Sequence, residues 1–313
     1  MIYLAQRLAL FALTLLLISV ATFALTNVLP GDVATMIMGT QSNPEALAGL
    51  RESLGLTDPM PVQYWRWISG LMTGDWGTSL RFKEPIGPLI AQKMTASGLI
   101  VVMSLAIALV VAIPLGIWSA VHRDGWQDAT GSSLALAGIS LPDFFWGIVL
   151  ILVFSRWLGL LPSSGYASPT EDLGLALQHA LLPAIALGFS LMAHLARMTR
   201  STMLEVLSQD FIRVCRAKGL PEGAVILRHA LRNAIAPVMT VAGLQLGYLF
   251  GSIIVIETLF NFTGMGWLTY QALLNRDVPL IQASIFVIAA VVMLTNLLVD
   301  ILYTVIDPRV ELG

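Results

Sequence analysis

The side chains that could do covalent or acid–base chemistry are few here, and their spacing fits no enzyme pattern. Lys83, Lys93 and Lys218 are the only lysines and none follows a glycine, so the chain has no GxxxxGKS or GxxxxGKT loop to cradle a nucleotide's phosphates. There is no HExxH helix, no GxSxG elbow and no Cys/His spacing for zinc. The lone Cys215 excludes an internal disulfide and a cysteine metal cluster. His122, His179, His194 and His229 all fall in loops or near the ends of apolar segments, away from any nucleophile–base pattern. Energy for any transport therefore comes from a partner or an ion gradient.

The ionisable groups left inside apolar segments carry a default functional reading, because charge is costly in hydrocarbon. Asp143 stands beside Pro142, which loosens a helix. It either lines a pathway and meets a substrate ammonium or a cation, or it caps a helix break. Glu257 and Asp300 lie near span ends and read as interfacial caps or packing contacts. Gly243, Gly247 and Gly251 recur every four residues, a small-residue stripe suited to helix packing in a membrane. Gln245 and Tyr248 beside them are candidate pathway residues.

These groups are positioned by elements that the composition identifies. The chain is 57% hydrophobic and 12% charged, against about 25% charged in soluble domains. Runs of about 20 apolar residues span a bilayer, and only helices or a closed barrel satisfy their backbone there. The pattern predicts an all-α integral membrane protein with six spans near 8–29, 97–119, 132–157, 178–198, 236–259 and 279–304. The first is too long for the apolar core of a signal peptide and lacks a small-residue cleavage site, so it is expected to be retained. With both termini in the cytoplasm, the inner segments hold ten Lys/Arg and the two short outer loops hold Arg156 and Arg276, which sets the orientation.

The expected division is 1–29 as N-terminus and first span, 30–96 as one large external segment, and 97–313 as a five-helix core with a cytoplasmic loop over 199–235. In the external segment, turns are expected at Pro30-Gly31-Asp32, and "SNPEALAGLRESLGL" (Ser42 to Leu56) and "PVQYWRWISGLM" (Pro61 to Met72) read as helices. Tyr64, Trp65, Trp67 and Trp76 read either as an interfacial aromatic belt or as a docking surface for an external partner.

The cytoplasmic loop is the most informative segment. Leu204, Leu207, Phe211, Val214 and Cys215 recur at helical spacing, Arg216 and Lys218 sit in a last turn where cations suit the dipole, and Gly219 then Pro221 stop the helix. A second helix is expected from Pro221 to about Ala234, with Arg228, His229, Arg232 and Asn233 on one face and Pro237 leading into the fifth span. Attraction to anionic lipid explains the charge. It does not explain two short punctuated helices, whose ordering costs backbone entropy and argues for a packed partner.

"RAKGL" (Arg216–Leu220) followed by "RHALRNAIAP" (Arg228–Pro237) resembles the coupling loop of ABC-importer permeases of the dipeptide/oligopeptide/nickel family. "GLTDPMPVQYWRWISGLMTGDWGTSL" (Gly55 to Leu80), "GSIIVIETLFNFTGMGWL" (Gly251 to Leu268), "NRDVPLIQA" (Asn275 to Ala283) and "DPRV" (Asp307 to Val310) resemble the same family in the same order.

The resemblance implies a type I ABC importer permease fold in a bacterial or archaeal inner membrane. It implies a second, homologous permease as heterodimer partner, two cytoplasmic ATPase subunits carrying ATP and Mg, and an external substrate-binding protein. No nucleic acid, metal or cofactor in this chain is implied. The cargo it implies is peptide, with nickel complexes, glutathione or another small solute as alternatives. Arg213, Arg216, Ala217, Lys218, Gly219, Leu220, Arg228, His229, Arg232 and Asn233 then become the contact with the ATPase. Cys215 departs from the alanine usual in this family, and Asp143, in "SLPDFFWG" (Ser140 to Gly147), from an uncharged polar residue. A gradient-driven transporter would need buried ionisable relays and repeat halves, and an intramembrane enzyme a nucleophile–base pair. The sequence offers neither.

Overall fold

The structure is a computed structural model that describes residues 2–28, 33–38, 43–53 and 55–306. The expected turn at Pro30-Gly31-Asp32, the tail "DPRV" and the side chain of Asp300 lie outside the described residues. Helices account for nearly all of the described chain, in keeping with the apolar runs: α1 (Ile2–Val28), α2 (Val33–Met38), α3 (Pro44–Ser53), α4 (Met60–Thr73), α5 (Ile86–Val121), α6 (Trp126–Ser140), α7 (Asp143–Leu150), α8 (Leu173–Leu207), α9 (Asp210–Ala217), α10 (Glu222–Ala224), α11 (Leu231–Leu259), α12 (Met265–Leu274) and α13 (Val278–Ile306). π-helical turns continue α7 over Ile151–Trp157 and join α10 to α11 over Val225–Ala230.

Five helices are long and apolar enough to cross a membrane. A sixth span exists if α6 and α7 with its π-turn count as one, and these are bent by 106° at Leu141-Pro142. The single straight span expected over 132–157 is thus corrected to a broken one. Pro142 removes a backbone donor, and Leu141 ahead of it adopts the extended conformation (φ −111, ψ 140) that a following proline enforces. The fifth span is corrected in the opposite sense. Glu222 to Leu259 is one helical rod with Pro237 inside it, not a short helix followed by a span.

The chain forms two compact units, Met1–Ser97 with Thr263–Leu294 and Gly98–Phe262 with Thr295–Gly313. The expected division kept 263–294 with the core, but this segment packs with the first unit. There Leu71, Ile86, Ile90, Met265, Leu268 and Leu280 form a buried cluster with Trp67 and Trp76 against it. Buried polar staples tie segments far apart in sequence. Asp277, at the start of α13, accepts from Ser79 Oγ (2.5 Å) and from the Arg81 and Leu280 backbone amides. Ser97 Oγ accepts from the Met265 amide, and Gln282 donates to Thr26.

The second unit is organised around α8, which packs on α11, α6 and α7. Small residues set the approach of α8 to α5. A Cβ added at Gly116 of α5 would stand 2.6 Å from Thr199 Cβ and 2.7 Å from the Ala196 carbonyl oxygen. The obstacle includes backbone, so relief requires separating the helices. Gly116→Val is expected to cost about 3 kcal/mol, seen as a lower midpoint for thermal unfolding in detergent. An unchanged midpoint would show that α5 and α8 are not held this closely.

Candidate functional site

The hairpin between α8 and α11 is built from a register shift that the sequence pattern hid. α8 stops at Leu207, and Ser208 and Gln209 break the helix before α9 begins. The break rotates α9, so its buried anchor is Ile212, while Phe211 and Val214, expected on the packed stripe, are turned outward. Ile212 joins Ala120, Met203, Val206, Val225, Ala230 and Ala234 in one cluster, with Leu204, Leu207 and the half-buried Cys215 against it. Ile212 had no place in the expected stripe, and only the break at Ser208-Gln209 could have revealed it.

Gly219 ends α9 with φ +76, a left-handed conformation that glycine adopts without penalty. Its amide donates to the Arg216 carbonyl at 2.9 Å. Pro221 starts the return, and Arg216 closes the turn on Glu222 with two hydrogen bonds of 2.6 and 3.1 Å. Those bonds hold the Arg216 guanidinium charged further above its ordinary range. The pair is exposed and contributes about 0.2–1 kcal/mol, enough to bias the turn but not to hold it alone.

The π-turn over Val225–Ala230 has a comparable role. Buried positions on the rod fall at Val225, Ala230, Ala234, Val238 and Ala242. The first step is five residues and the others four, and the i→i+5 bonding of a π-turn absorbs the extra residue. Arg228, Arg232 and Asn233 remain exposed and His229 half-buried, as the expected polar face requires. Arg213, Ala217 and Lys218 are exposed as well. The outer face thus mixes cations with uncovered apolar side chains: Phe211 is 37%, Val214 51%, Leu220 38% and Leu227 63% exposed.

Beneath the hairpin lies a buried ion pair that sequence reasoning missed. Asp128 of α6 receives two hydrogen bonds from Arg200 of α8, at 2.5 and 2.6 Å, and one from Ser119 of α5 at 2.5 Å. The Asp124 amide donates a fourth at 3.1 Å. Asp128 is 5% exposed. This fork joins the three helices that carry the hairpin's foundation. The usable sequence signal was an acid at the edge of an apolar run, with an arginine counted only toward charge bias.

The pathway candidates lie on a different face. Asp143 is the first residue of α7, half-buried, with Ser252 of α11 as its polar neighbour. Gln245 is half-buried and Tyr248 55% exposed. Glu257 is fully buried within the protein, which fits the packing-contact reading. Of the glycine stripe, Gly243 closes on Val299 of α13, while a Cβ at Gly251 would meet open space. Of the four aromatics between α3 and α5, Tyr64 bonds Ser19, Trp67 stacks on Phe23, and Trp76 donates to the Leu71 carbonyl. Trp65 alone of the four is exposed, at 71%.

A helical chain with this many spans, a broken third span and a punctuated hairpin between the fourth and fifth has the architecture of an importer's transmembrane subunit. Residues 1–85 match the N-terminal part of the binding-protein-dependent transport system membrane components, and residues 112–312 match the binding-protein-dependent transport system inner membrane component. The chain belongs to this family of multi-pass inner-membrane permease subunits, which work with other permease, ATPase and binding-protein components and are not themselves catalytic. It is 40% identical to the dipeptide transport system permease protein of Alkalihalophilus pseudofirmus, over 99% of both chains. It is 39% identical to the glutathione transport system permease proteins of Salmonella typhimurium and Escherichia coli K12, over 99% of this chain and 98% of theirs. Among solved structures, a chain of the methionine ABC transporter MetNI in an inward-facing form shares the fold, with a TM-score of 0.60, 18% identity, and coverage of 72% of this chain and 99% of that one.

Proposed function

We propose that this chain forms half of the membrane pathway of a peptide importer, and that the Asp210–Pro237 hairpin docks on a cytoplasmic ATPase subunit and passes its motion to the pathway. Both termini then face the cytoplasm, a homologous second permease completes the pathway as a heterodimer, and ATP and Mg are bound by the partner ATPase subunits. The absence of a nucleotide-binding loop in the sequence fits that division of labour. Relatives named for dipeptide and glutathione transport supply the cargo class.

The observation that carries the docking is the two-faced hairpin. Ile212, Val225 and Ala230 lock one face into the α5–α8 core, while Phe211, Val214 and Leu220 stand uncovered among Arg213, Arg216 and Lys218 on the other. A rigid inner face and an apolar, cationic outer face are what a lever needs, whereas a loop lying on lipid needs no packed core. Replacing both Phe211 and Val214 with Asp is expected to lower ATPase copurification with the permease by tenfold or more, since central apolar anchors contribute about 2 kcal/mol or more each. Undiminished copurification would rule out this face as the contact. Peptide uptake that persists in ATP-depleted vesicles under an imposed ion gradient would overturn the ATP-driven reading itself.

A further inference from the structure

One face of α11 carries Val241, Gln245, Tyr248 and Ser252, spaced four, three and four residues apart and so aligned in a single row. At one end of the row Ser252 neighbours Asp143 of α7. At the other, Val241 borders a cavity of about 430 Å³ whose remaining wall is α8, through His194, Arg197, Met198, Arg200 and Ser201. His194, Arg197 and Ser201 follow an i, i+3, i+7 spacing, so they share a face. None of the three side chains has a hydrogen-bond or ion-pair partner among the described residues. Arg200 does, and its charge is neutralised by Asp128. The cavity therefore presents one uncompensated guanidinium, an imidazole and a hydroxyl, with no carboxylate of its own. Arg197 and Ser201 are exposed at this end of α8, and a row of this polarity is ill-suited to hydrocarbon, which favours the pathway side over the lipid side.

We infer that His194, Arg197 and Ser201 form a carboxylate-binding station at the hairpin end of the pathway, complementary to Asp143 at the far end. This rests on the peptide-importer reading above. A short peptide carries both an ammonium and a carboxylate. Ser252 and Val241 are eleven residues apart, about 16 Å along the helix. A dipeptide spans at most about 7 Å, so it cannot bridge the two ends. The acid and the base act in succession: Asp143 meets the ammonium, and the Arg197 guanidinium takes the carboxylate as the peptide reaches the hairpin side. Arg197 offers two parallel donors to a carboxylate, His194 and Ser201 a third and fourth.

The test uses the assembled transporter in membrane vesicles with Ser201→Cys in a Cys215→Ala background, so that the introduced thiol is the chain's one reactive site. Its modification is timed with an anionic and a cationic methanethiosulfonate of similar size. The anionic reagent is expected to react roughly tenfold faster relative to its rate on a free thiol, as local enrichment by a positive cleft predicts. Arg197→Gln is expected to bring the ratio near one, while Arg197→Lys keeps most of it. A dipeptide with a free C-terminus is expected to slow the labelling, and its C-terminal amide is not. Equal rates for the two reagents would overturn the anion site. Anion preference with protection by inorganic phosphate or by vesicles enriched in anionic phospholipid, and none by the dipeptide, would overturn the carboxylate assignment. Failure of the parent transporter to take up dipeptides is scored separately, by uptake, and would sink the peptide cargo while leaving the electrostatic result standing.

Discussion

Replacing Asp128 with alanine is expected to destabilise the second unit by about 3–5 kcal/mol, the usual cost of leaving one member of a buried ion pair uncompensated. Arg200 would lose both of its hydrogen bonds from α8 to α6, and Ser119 its acceptor. The side chain of Arg200 is 29% exposed, so some of its charge can reach water, and the lower end of that range applies. The measurable result is a fall in the amount of folded protein recovered from membranes and a lower unfolding midpoint in detergent. The discriminating variant is the double replacement Asp128→Ala with Arg200→Leu. It removes the stranded guanidinium and should recover much of the loss, because the penalty lies in the unpaired charge and not in a missing net attraction. A double variant no better than the single one would show that the fork matters through helix geometry and not through charge.

Gly219→Pro is expected to abolish uptake while membrane insertion and protein level stay near those of the parent. Proline fixes φ near −65°, whereas the native φ at this position is +76. It also removes the amide that bonds the Arg216 carbonyl. A Cβ at this position would meet nothing within 4 Å, so the effect is conformational and not steric. Proline cannot adopt this conformation, so the turn itself must rearrange. The tip lies outside the buried cluster that anchors the hairpin and is held otherwise by the exposed Arg216–Glu222 pair, so the unit is expected to stay folded. Gly219→Asn, which tolerates the left-handed region, should retain most uptake. Expected readouts are a loss of uptake of tenfold or more for proline and ATP hydrolysis by the complex that no longer responds to the loaded binding protein. Normal uptake in the proline variant would sink the coupling role of the hairpin.

The two replacements test different levels of one device. Asp128 and Arg200 hold α5, α6 and α8 as a frame, the cluster around Ile212 fixes the hairpin to that frame, and Gly219 shapes the tip. On the proposed reading, movement of the tip is passed on only if the other two are stiff. The same unit carries the row of α11 from Val241 to Ser252, so on the proposed reading a shift of the hairpin would reach the Val241 end of that row along a continuous rod.

The amino-acid sequence alone determined the membrane class, the approximate places of the apolar spans and the hairpin stop, because each rests on local chemistry: apolar run length and the conformations glycine and proline permit. Gly219 could be assigned its turn from neighbouring residues, and the structure places it there with φ +76. Tertiary structure decided what depends on contacts between distant segments. The 106° bend at Pro142, the continuity of the rod through Pro237 and the rotation of α9 that buries Ile212 depend on packing, which overrides a local helix-breaking tendency in one place and yields to it in another. The pairing of Asp128 with Arg200 joins residues 72 positions apart, and the meeting of Arg197 with the Val241 end of α11 joins two helices. No periodicity encodes such pairs, since a side chain's partner across a helix interface is fixed by where the backbones cross.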